Sequence, residues 1–288
     1  MKFLDAIDGF SMEMANGAYS PITAKYYAQR LQNIAVQLDN PPLEQITREQ
    51  LIGYLQSLRD NGRTESTVQV YWKVIRSFFN WASKELSIER VDNIPMPATP
   101  NQAILPFAQA EISKIVKSCK SARDKALVLL LLDSGLRVSE VSRLTINDLD
   151  IETGSILVKP FHSGKKSRGR VARLGKSARL ALWKYIHTRD VTPTDPLIST
   201  RDNTILDRYQ LRNILRRIGK RAGITNIHPH RFRHTFAIEF LRNGGNIFEL
   251  QMLLGHNDLT MVRRYLAISQ SDLESAHRRS SPADNWHL

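Results

Sequence analysis

Two short segments near the end of the chain combine residue types that could break a phosphodiester without a metal. One reads H-R-F-R-H-T over residues 230–235 and supplies His230, Arg233 and His234. The other, over 254–265, opens on L-G-H and ends on Tyr265, nine residues after His256. A tyrosine hydroxyl can attack phosphorus and form a covalent intermediate. Arginine and histidine can hold the charge that develops on the phosphate oxygens. Neither segment holds an acidic cluster of the kind that binds a metal. No metal site, two-metal mechanism or cofactor is therefore expected.

Each of these residues has an ordinary explanation when taken alone. His230 and Arg233 share a helix face at their spacing of three, and Pro229 suits a helix start whose N–H groups would face an anion. Yet H-P-H-R over 228–231 gives the same spacing in another register. On spacing alone both registers stay open. A histidine after Gly255 is commonly a cap, and a lone tyrosine is commonly core. Arg137 follows a helix stop at Gly135 and is by itself a turn arginine; between two apolar helices its fork would suit a pair of phosphate oxygens. Lys165 and Lys166 lie in a basic turn over 159–169, either as an exposed loop or as a lysine set against a leaving oxygen.

The elements that must position these groups follow from periodicity. Over 22–37, Ala24, Tyr27, Leu31 and Ile34 recur at helical spacing. Thr47 and Gln50 form a capping-box pattern ahead of a second helix, which Asn61-Gly62 ends. Thr64 opens a third, with Val70, Val74, Phe78 and Trp81 as its stripe. Lys73 and Arg76 lie off that stripe, as a solvated face or as DNA contacts. Four prolines between 93 and 106 mark a linker. Beyond it come a helix over about 107–119, an apolar helix through 125–132 and a short helix over 138–144. Two strands follow, 154–158 and 170–174, joined by the basic turn as a hairpin. The pattern from Ser177 on is helical, and Ser271 with Glu274 suggests a last short helix.

The charge is uneven. The 288 residues carry 41 Lys and Arg against 28 Asp and Glu, for a net +13 and a pI near 10.0. Residues 1–100 hold ten basic and eleven acidic side chains; residues 101–288 hold thirty-one and seventeen. The excess in the second part points to a polyanion partner there. The single cysteine, Cys119, excludes a disulfide within the chain and argues against a cysteine-based zinc site. The N-terminus has acids where a signal peptide needs an apolar run, and the apolar run 126–132 is too short to span a bilayer. A soluble, cytoplasmic protein with no membrane partner is expected.

Taken in order, G-L-R-V-S-E over 135–140, the basic hairpin, H-x-x-R-H-T at 230–235, L-G-H at 254–256 and Tyr265 resemble the tyrosine recombinase (phage-type integrase) family. The resemblance covers about 107–275; residues 20–90 share only the character of that family's core-binding domain. It implies a mainly α fold with a small β-hairpin or sheet. A helical, SAM-like core-binding domain would span 1–92, a linker 93–106, and a mixed α/β catalytic domain 107–288, with a tail over about 269–288. It also implies roles. Arg137 and Arg233 would hold the non-bridging oxygens of the scissile phosphate. His230 and His256 would hydrogen-bond that phosphate and manage protons. Lys165 would protonate the 5′ leaving oxygen, and Tyr265 would form a 3′-phosphotyrosyl bond. Glu140 would support the arrangement. The family's hairpin is usually shorter and reads glycine-lysine-glycine; here Gly164-Lys165-Lys166 leaves Lys166 as the alternative to Lys165.

The family further implies double-stranded DNA with inverted-repeat core sites as substrate, strand exchange through a Holliday junction, a homo-tetramer on DNA, and a monomer free in solution. Accessory directionality factors and association with the nucleoid are expected too. Lys73, Arg76, Arg168, Arg170, Arg212 and Arg216 are expected among the DNA-facing cations. The two domains would close on the duplex as a clamp, and the tail would dock on a neighbouring subunit or fold back on its own. A separate arm-binding domain ahead of residue 20 is not expected. Integration or excision of a mobile element is the expected role. The alternatives are dimer resolution, type IB topoisomerase-like nicking and closing, and non-catalytic DNA binding.

Overall fold

Four helices build the first part of the chain in the computed structural model, which describes residues 1–17, 19–98, 104–160 and 169–255, together with Tyr265 and Ser281. The chain forms two compact units, Met1–Ala103 and Ile104–Leu288. In the first unit, α1 covers Phe3–Asn16, α2 Pro21–Gln37, α3 Arg48–Asp60 and α4 Glu65–Glu85. Helix α1 is absent from the sequence reading, although Phe3, Ile7, Phe10 and Met14 form its buried stripe. The other three start at side-chain caps, two of them, Thr47 and Thr64, where the sequence places them. Ser20 accepts from the Thr23 N–H with Pro21 in the first turn, Thr47 and Gln50 make the expected reciprocal box, and Thr64 accepts from the Thr67 N–H.

The core of this unit is aromatic. Phe78 meets Phe3, Phe10, Phe79 and Trp81 at ring separations of 5.2–5.7 Å. Val74 and Phe78 of the expected α4 stripe are buried, but Val70 and Trp81 are only half-buried. Tyr71, Ile75 and Phe79 complete the face instead. Much of the proline-rich stretch is not free. Trp72 Nε1 donates to the Ile94 carbonyl at 2.8 Å, and Arg48 Nε donates to Asn93 at 2.7 Å. On the far side, Arg231 donates to the Leu105 and Pro106 carbonyls. The Phe107 N–H donates to Thr235 Oγ1 at 2.8 Å.

The second unit is built around α6 (Ala122–Ser134). Ala126, Leu127, Val128, Leu130 and Leu131 are all fully buried, which is why this helix is apolar all round rather than striped. Helices α5 (Gln109–Lys117), α8 (Lys176–Ile186), α9 (Arg208–Ala222) and α10 (Pro229–Arg242) pack on it. The short α7 is confined to Val138–Val141, and α11 covers Ile247–Leu254. The hairpin strands are β2 (Ser155–Val158) and β3 (Arg170–Arg173), antiparallel, with Val158 opposite Arg170. A two-residue β1 (Leu149–Asp150) extends them to an antiparallel β1-β2-β3 sheet. Ile156, Val158 and Ala172 point into the core while Leu157 and Val171 face out, the alternation a half-buried sheet requires. No described helix is long and apolar enough to cross a membrane.

Candidate active site

Three chain turns converge around one buried carboxylate. Helix α6 ends at Gly135, whose φ of +61° is the left-handed cap that lets the chain reverse. A Cβ there would lie 2.4 Å from Phe236 and 2.8 Å from Leu254, so close packing demands glycine as well. Two residues later Arg137 caps α7. Its backbone N–H donates to Glu140 at 2.7 Å and its Nη1 to the same carboxylate at 3.1 Å. From β3, Arg170 reaches the other way and forks onto Glu140, with Nη1–Oε1 at 2.8 Å and Nη2–Oε2 at 2.9 Å. Burial raises the Glu140 carboxyl, but the Arg170 fork and then the Arg137 contacts outweigh it and bring it down to about 2.

Arg233, on the second turn of α10, is only 4% exposed. Its Nη1 donates to the Gly135 carbonyl at 2.6 Å and its Nη2 to the Leu254 carbonyl at 2.7 Å. It thus ties the end of α6 to the end of α11. Arg170 Nε donates to the neighbouring Leu253 carbonyl at 2.7 Å. The C-terminal carbonyls of α11 carry partial negative charge, so both cations are favoured there. Gly255 follows with φ +62°, and a Cβ on it would press on Arg170 at 3.0 Å. Desolvation, and then the nearby charge of Arg137, push the Arg233 guanidinium down to about 9. It remains charged at neutral pH, and the cluster carries more positive than negative charge.

The histidines divide by position. His228 is the N-cap of α10 and accepts from the Arg231 N–H at 3.2 Å. His230 lies one turn before His234, with their rings 6.5 Å apart. Partial desolvation and the charges of His228, Arg233, Arg212 and Arg137 hold the His230 imidazole below the ordinary histidine range. His230 therefore belongs electrostatically to the arginine cluster and is neutral near pH 7. Tyr265 is 1% exposed, packed with Ala237, Ile238, Leu250 and Leu254. Its hydroxyl lies 2.8 Å from His234 Nδ1.

Of the residues expected from sequence, Arg137, Glu140, His230 and Arg233 meet in this cluster, and Tyr265 lies on the adjoining α10–α11 core. Lys165, Lys166, Arg168 and His256 lie outside the described residues. Arg170 departs from the expectation of a DNA-facing cation, because the Glu140 carboxylate and the Leu253 carbonyl take its guanidinium into the fold. Arg212 and Arg216 stand one turn apart on the open face of α9, followed by Lys220. Lys73 and Arg76 are exposed on α4, Arg76 over the Trp72 ring at 5.2 Å. The sequence reading assigned no role to His234. Its one signal was its place four residues after His230, on the same helix face.

Comparisons with known proteins give the family of the chain. Residues 106–272 match the family described as "Phage integrase family", and residues 7–85 match "Phage integrase, N-terminal SAM-like domain". The chain is 29% identical over 286 residues to tyrosine recombinase XerC of Oceanobacillus iheyensis, covering 92% of each chain. It is 30% identical over 252 residues to XerD of the same organism, covering 83% of this chain and 84% of the relative. Among solved structures, the Tn1549 transposon integrase in complex with circular intermediate DNA superposes with a TM-score of 0.77 at 20% identity, over 92% of this chain and 95% of that one. A lambda integrase dimer bound to a COC′ core site gives 0.76 at 19%, over 92% and 95%. At those identities the likeness is one of fold.

Proposed function

The chain belongs to the phage integrase family and is a site-specific DNA recombinase of the tyrosine type, and from that premise we propose that it cuts and rejoins DNA strands through Tyr265. The tyrosine oxygen attacks the scissile phosphorus, forms a 3′-phosphotyrosyl bond and releases a 5′ hydroxyl. Arg137 and Arg233 bind the non-bridging oxygens. His230 hydrogen-bonds them as a neutral ring, with His256 as its counterpart. Lys165 protonates the leaving oxygen, Lys166 being the alternative, and Glu140 holds Arg137 in place. The observation that supports this most is the gathering of cations here: Arg137 and Arg170 on the buried Glu140 carboxylate, with Arg233 near Arg137 and His230 within the field of both Arg137 and Arg233. Negative charge grows on the equatorial oxygens of a five-coordinate phosphorus, and fixed cations favour it more than they favour the ground state. The covalent bond keeps the energy of the phosphodiester, so rejoining needs no nucleotide cofactor.

In the proposed complex the substrate is double-stranded DNA with inverted-repeat core sites. One strand is cut per site, and strands exchange through a Holliday junction within a homo-tetramer assembled from monomers. Residues 1–92 act as the core-binding domain through the exposed Lys73 and Arg76 of α4. The open face of α9, with Arg212 and Arg216, supplies further phosphate contacts, joined by Arg168 from the hairpin. The tail over 269–288 docks on the neighbouring subunit, and accessory factors set direction. Mobile-element integration and excision is our preferred role; dimer resolution uses the same chemistry. The test starts from a pool of randomised nicked duplexes, from which DNA retained on the protein through detergent is sequenced. Two copies of the recovered site are then placed in direct repeat on one plasmid. Excised circles and four-way junctions are expected. Relaxation of supercoils without sequence preference would replace this reading with a topoisomerase-like one, and binding without retained DNA with a non-catalytic one. A recovered site at the ends of a mobile element supports integration; a single site in a replicon supports resolution.

A further inference from the structure

The roles above leave unassigned a group that touches the nucleophile. His234 Nδ1 lies 2.8 Å from the Tyr265 hydroxyl, with the rings 5.6 Å apart. The neighbouring groups do other work. His230, one turn earlier, lies among the charges of Arg137, Arg212 and Arg233. Arg233, the residue just before His234, turns into the buried carbonyls of Gly135 and Leu254. His230 and His234, four residues apart, share a face of α10 with their rings 6.5 Å apart, so the histidine beside the arginine charges and the histidine on the tyrosine hydroxyl stand one turn from each other.

We propose that His234 is a further catalytic residue, whose Nδ1 holds the Tyr265 hydroxyl and takes its proton as the oxygen attacks. This rests on Tyr265 being the nucleophile. A phenol ordinarily titrates near 10, so little phenolate exists at neutral pH and a base within hydrogen-bond reach is needed. For Nδ1 to accept, the imidazole carries its own proton on Nε2. As the Tyr265 oxygen bonds to phosphorus, the bond from phosphorus to the 5′ oxygen breaks. The phenolic proton passes to Nδ1, giving an imidazolium, and the departing 5′ oxygen takes a proton from the general acid, the lysine ammonium assigned above. Rejoining reverses both transfers: the 5′ hydroxyl attacks and returns its proton to the lysine, and Nδ1 returns its proton to the tyrosine oxygen. No proton is gained or lost over the cycle.

The test uses single-turnover cleavage of the duplex recovered from the randomised pool, by the full chain, in wild type, His234→Ala, His234→Asn and Tyr265→Phe. Asparagine can place an oxygen near the position of Nδ1 and accept the hydroxyl, but cannot take its proton. It also keeps a polar group in this half-buried position should alanine impair folding. Both His234 variants are expected to bind DNA as wild type does and to cleave at least about 100-fold more slowly, the usual scale of a proton-transfer role. A second duplex carries sulfur in place of the 5′ bridging oxygen, which needs no protonation to leave. That duplex should not restore the rate, because the missing step is removal of the tyrosine proton. Cleavage by His234→Asn within threefold of wild type would overturn the proton-acceptor role and leave His234 a positioning residue. Full rescue by the sulfur duplex would move His234 to the leaving-group side and overturn the proposal as well. If wild type itself forms no adduct on DNA it binds, the nucleophile reading fails and takes this one with it. An adduct in wild type but not in Tyr265→Phe, with normal cleavage by His234→Ala, would sink this inference alone.

Discussion

Arg233 serves the fold and the chemistry with one side chain. Its guanidinium donates to two buried carbonyls, and it sits beside Arg137 and His230, where the phosphate is expected. A lysine has one nitrogen and no fork, so it cannot bridge Gly135 and Leu254 together. Arg233→Lys is therefore expected to lower both cleavage and stability, the latter by about 1–3 kcal/mol for an orphaned buried carbonyl; urea unfolding beside the cleavage assay reads both. The two histidine registers separate by the same logic. His228 caps α10 through its side chain, so His228→Ala should cost on the order of 1 kcal/mol of stability and only modestly slow cleavage. His230→Ala should leave stability nearly unchanged and cripple cleavage; equal effects on cleavage would reverse the assignment. Arg137, His230, Arg233 and Tyr265 were legible because their types and order carry the chemistry. The His234–Tyr265 contact was not, because residues 31 apart meet only once α10 and the final segment pack. Nor was the turning of Arg170 toward Glu140, since a strand arginine reads alike whether it faces solvent or a carboxylate.

At the scale of elements, the Glu140 cluster fastens α7, β3 and, through Arg170, α11. The pH dependence follows from the depressed carboxyl. A group brought from 4.5 to about 2 on folding contributes stability that is fully present above the higher value and is lost as pH falls through the lower one. By the ordinary conversion the contribution is about 3 kcal/mol. Glu140→Gln should be clearly less stable than wild type at neutral pH, because it leaves Arg170 and Arg137 without a counter-charge. That gap should shrink as pH falls from about 4.5 toward about 2. Thermal midpoints of the pair across this range test it, and a constant gap would show that the carboxylate charge is not what stabilises the cluster. Gly135→Ala should be costly for two reasons, the positive φ and the approach of Phe236 and Leu254, together about 2–4 kcal/mol. Periodicity made α2 readable in advance, caps made α3 and α4 so, and the change of period did the same for β2 and β3. Helix α1 was not legible although its stripe was present, because no side-chain cap marks its start. The last turn of the expected 138–144 helix failed because Leu144 leaves the helical path: its carbonyl accepts from Leu197 at 2.7 Å.

For the whole molecule, charge is the property most directly readable from sequence, and it makes a direct prediction. If affinity comes mainly from phosphates, it should fall steeply with salt, by about a thousandfold between about 50 and about 200 mM for roughly six contacts. Titrations of the recovered duplex at several salt concentrations check this, and a flat response would contradict it. The proline-rich stretch was read as one linker, yet residues 93–98 and 104–106 are held by hydrogen bonds from Arg48, Gln69, Trp72 and Arg231. Periodicity could not foresee this, because carbonyls of irregular backbone are captured by side chains distant in sequence. Truncation after Gln270 should weaken recombination and assembly more than binding to a single site; loss of monomer folding would favour a tail folded on its own unit. The most direct test of the central claim is mass spectrometry of the detergent-stable adduct after digestion with trypsin and nuclease. A nucleotide 3′-phosphate is expected on the peptide spanning 265–278, attached to Tyr265. An adduct on any other residue, or bound and nicked DNA with no covalent peptide, would contradict it.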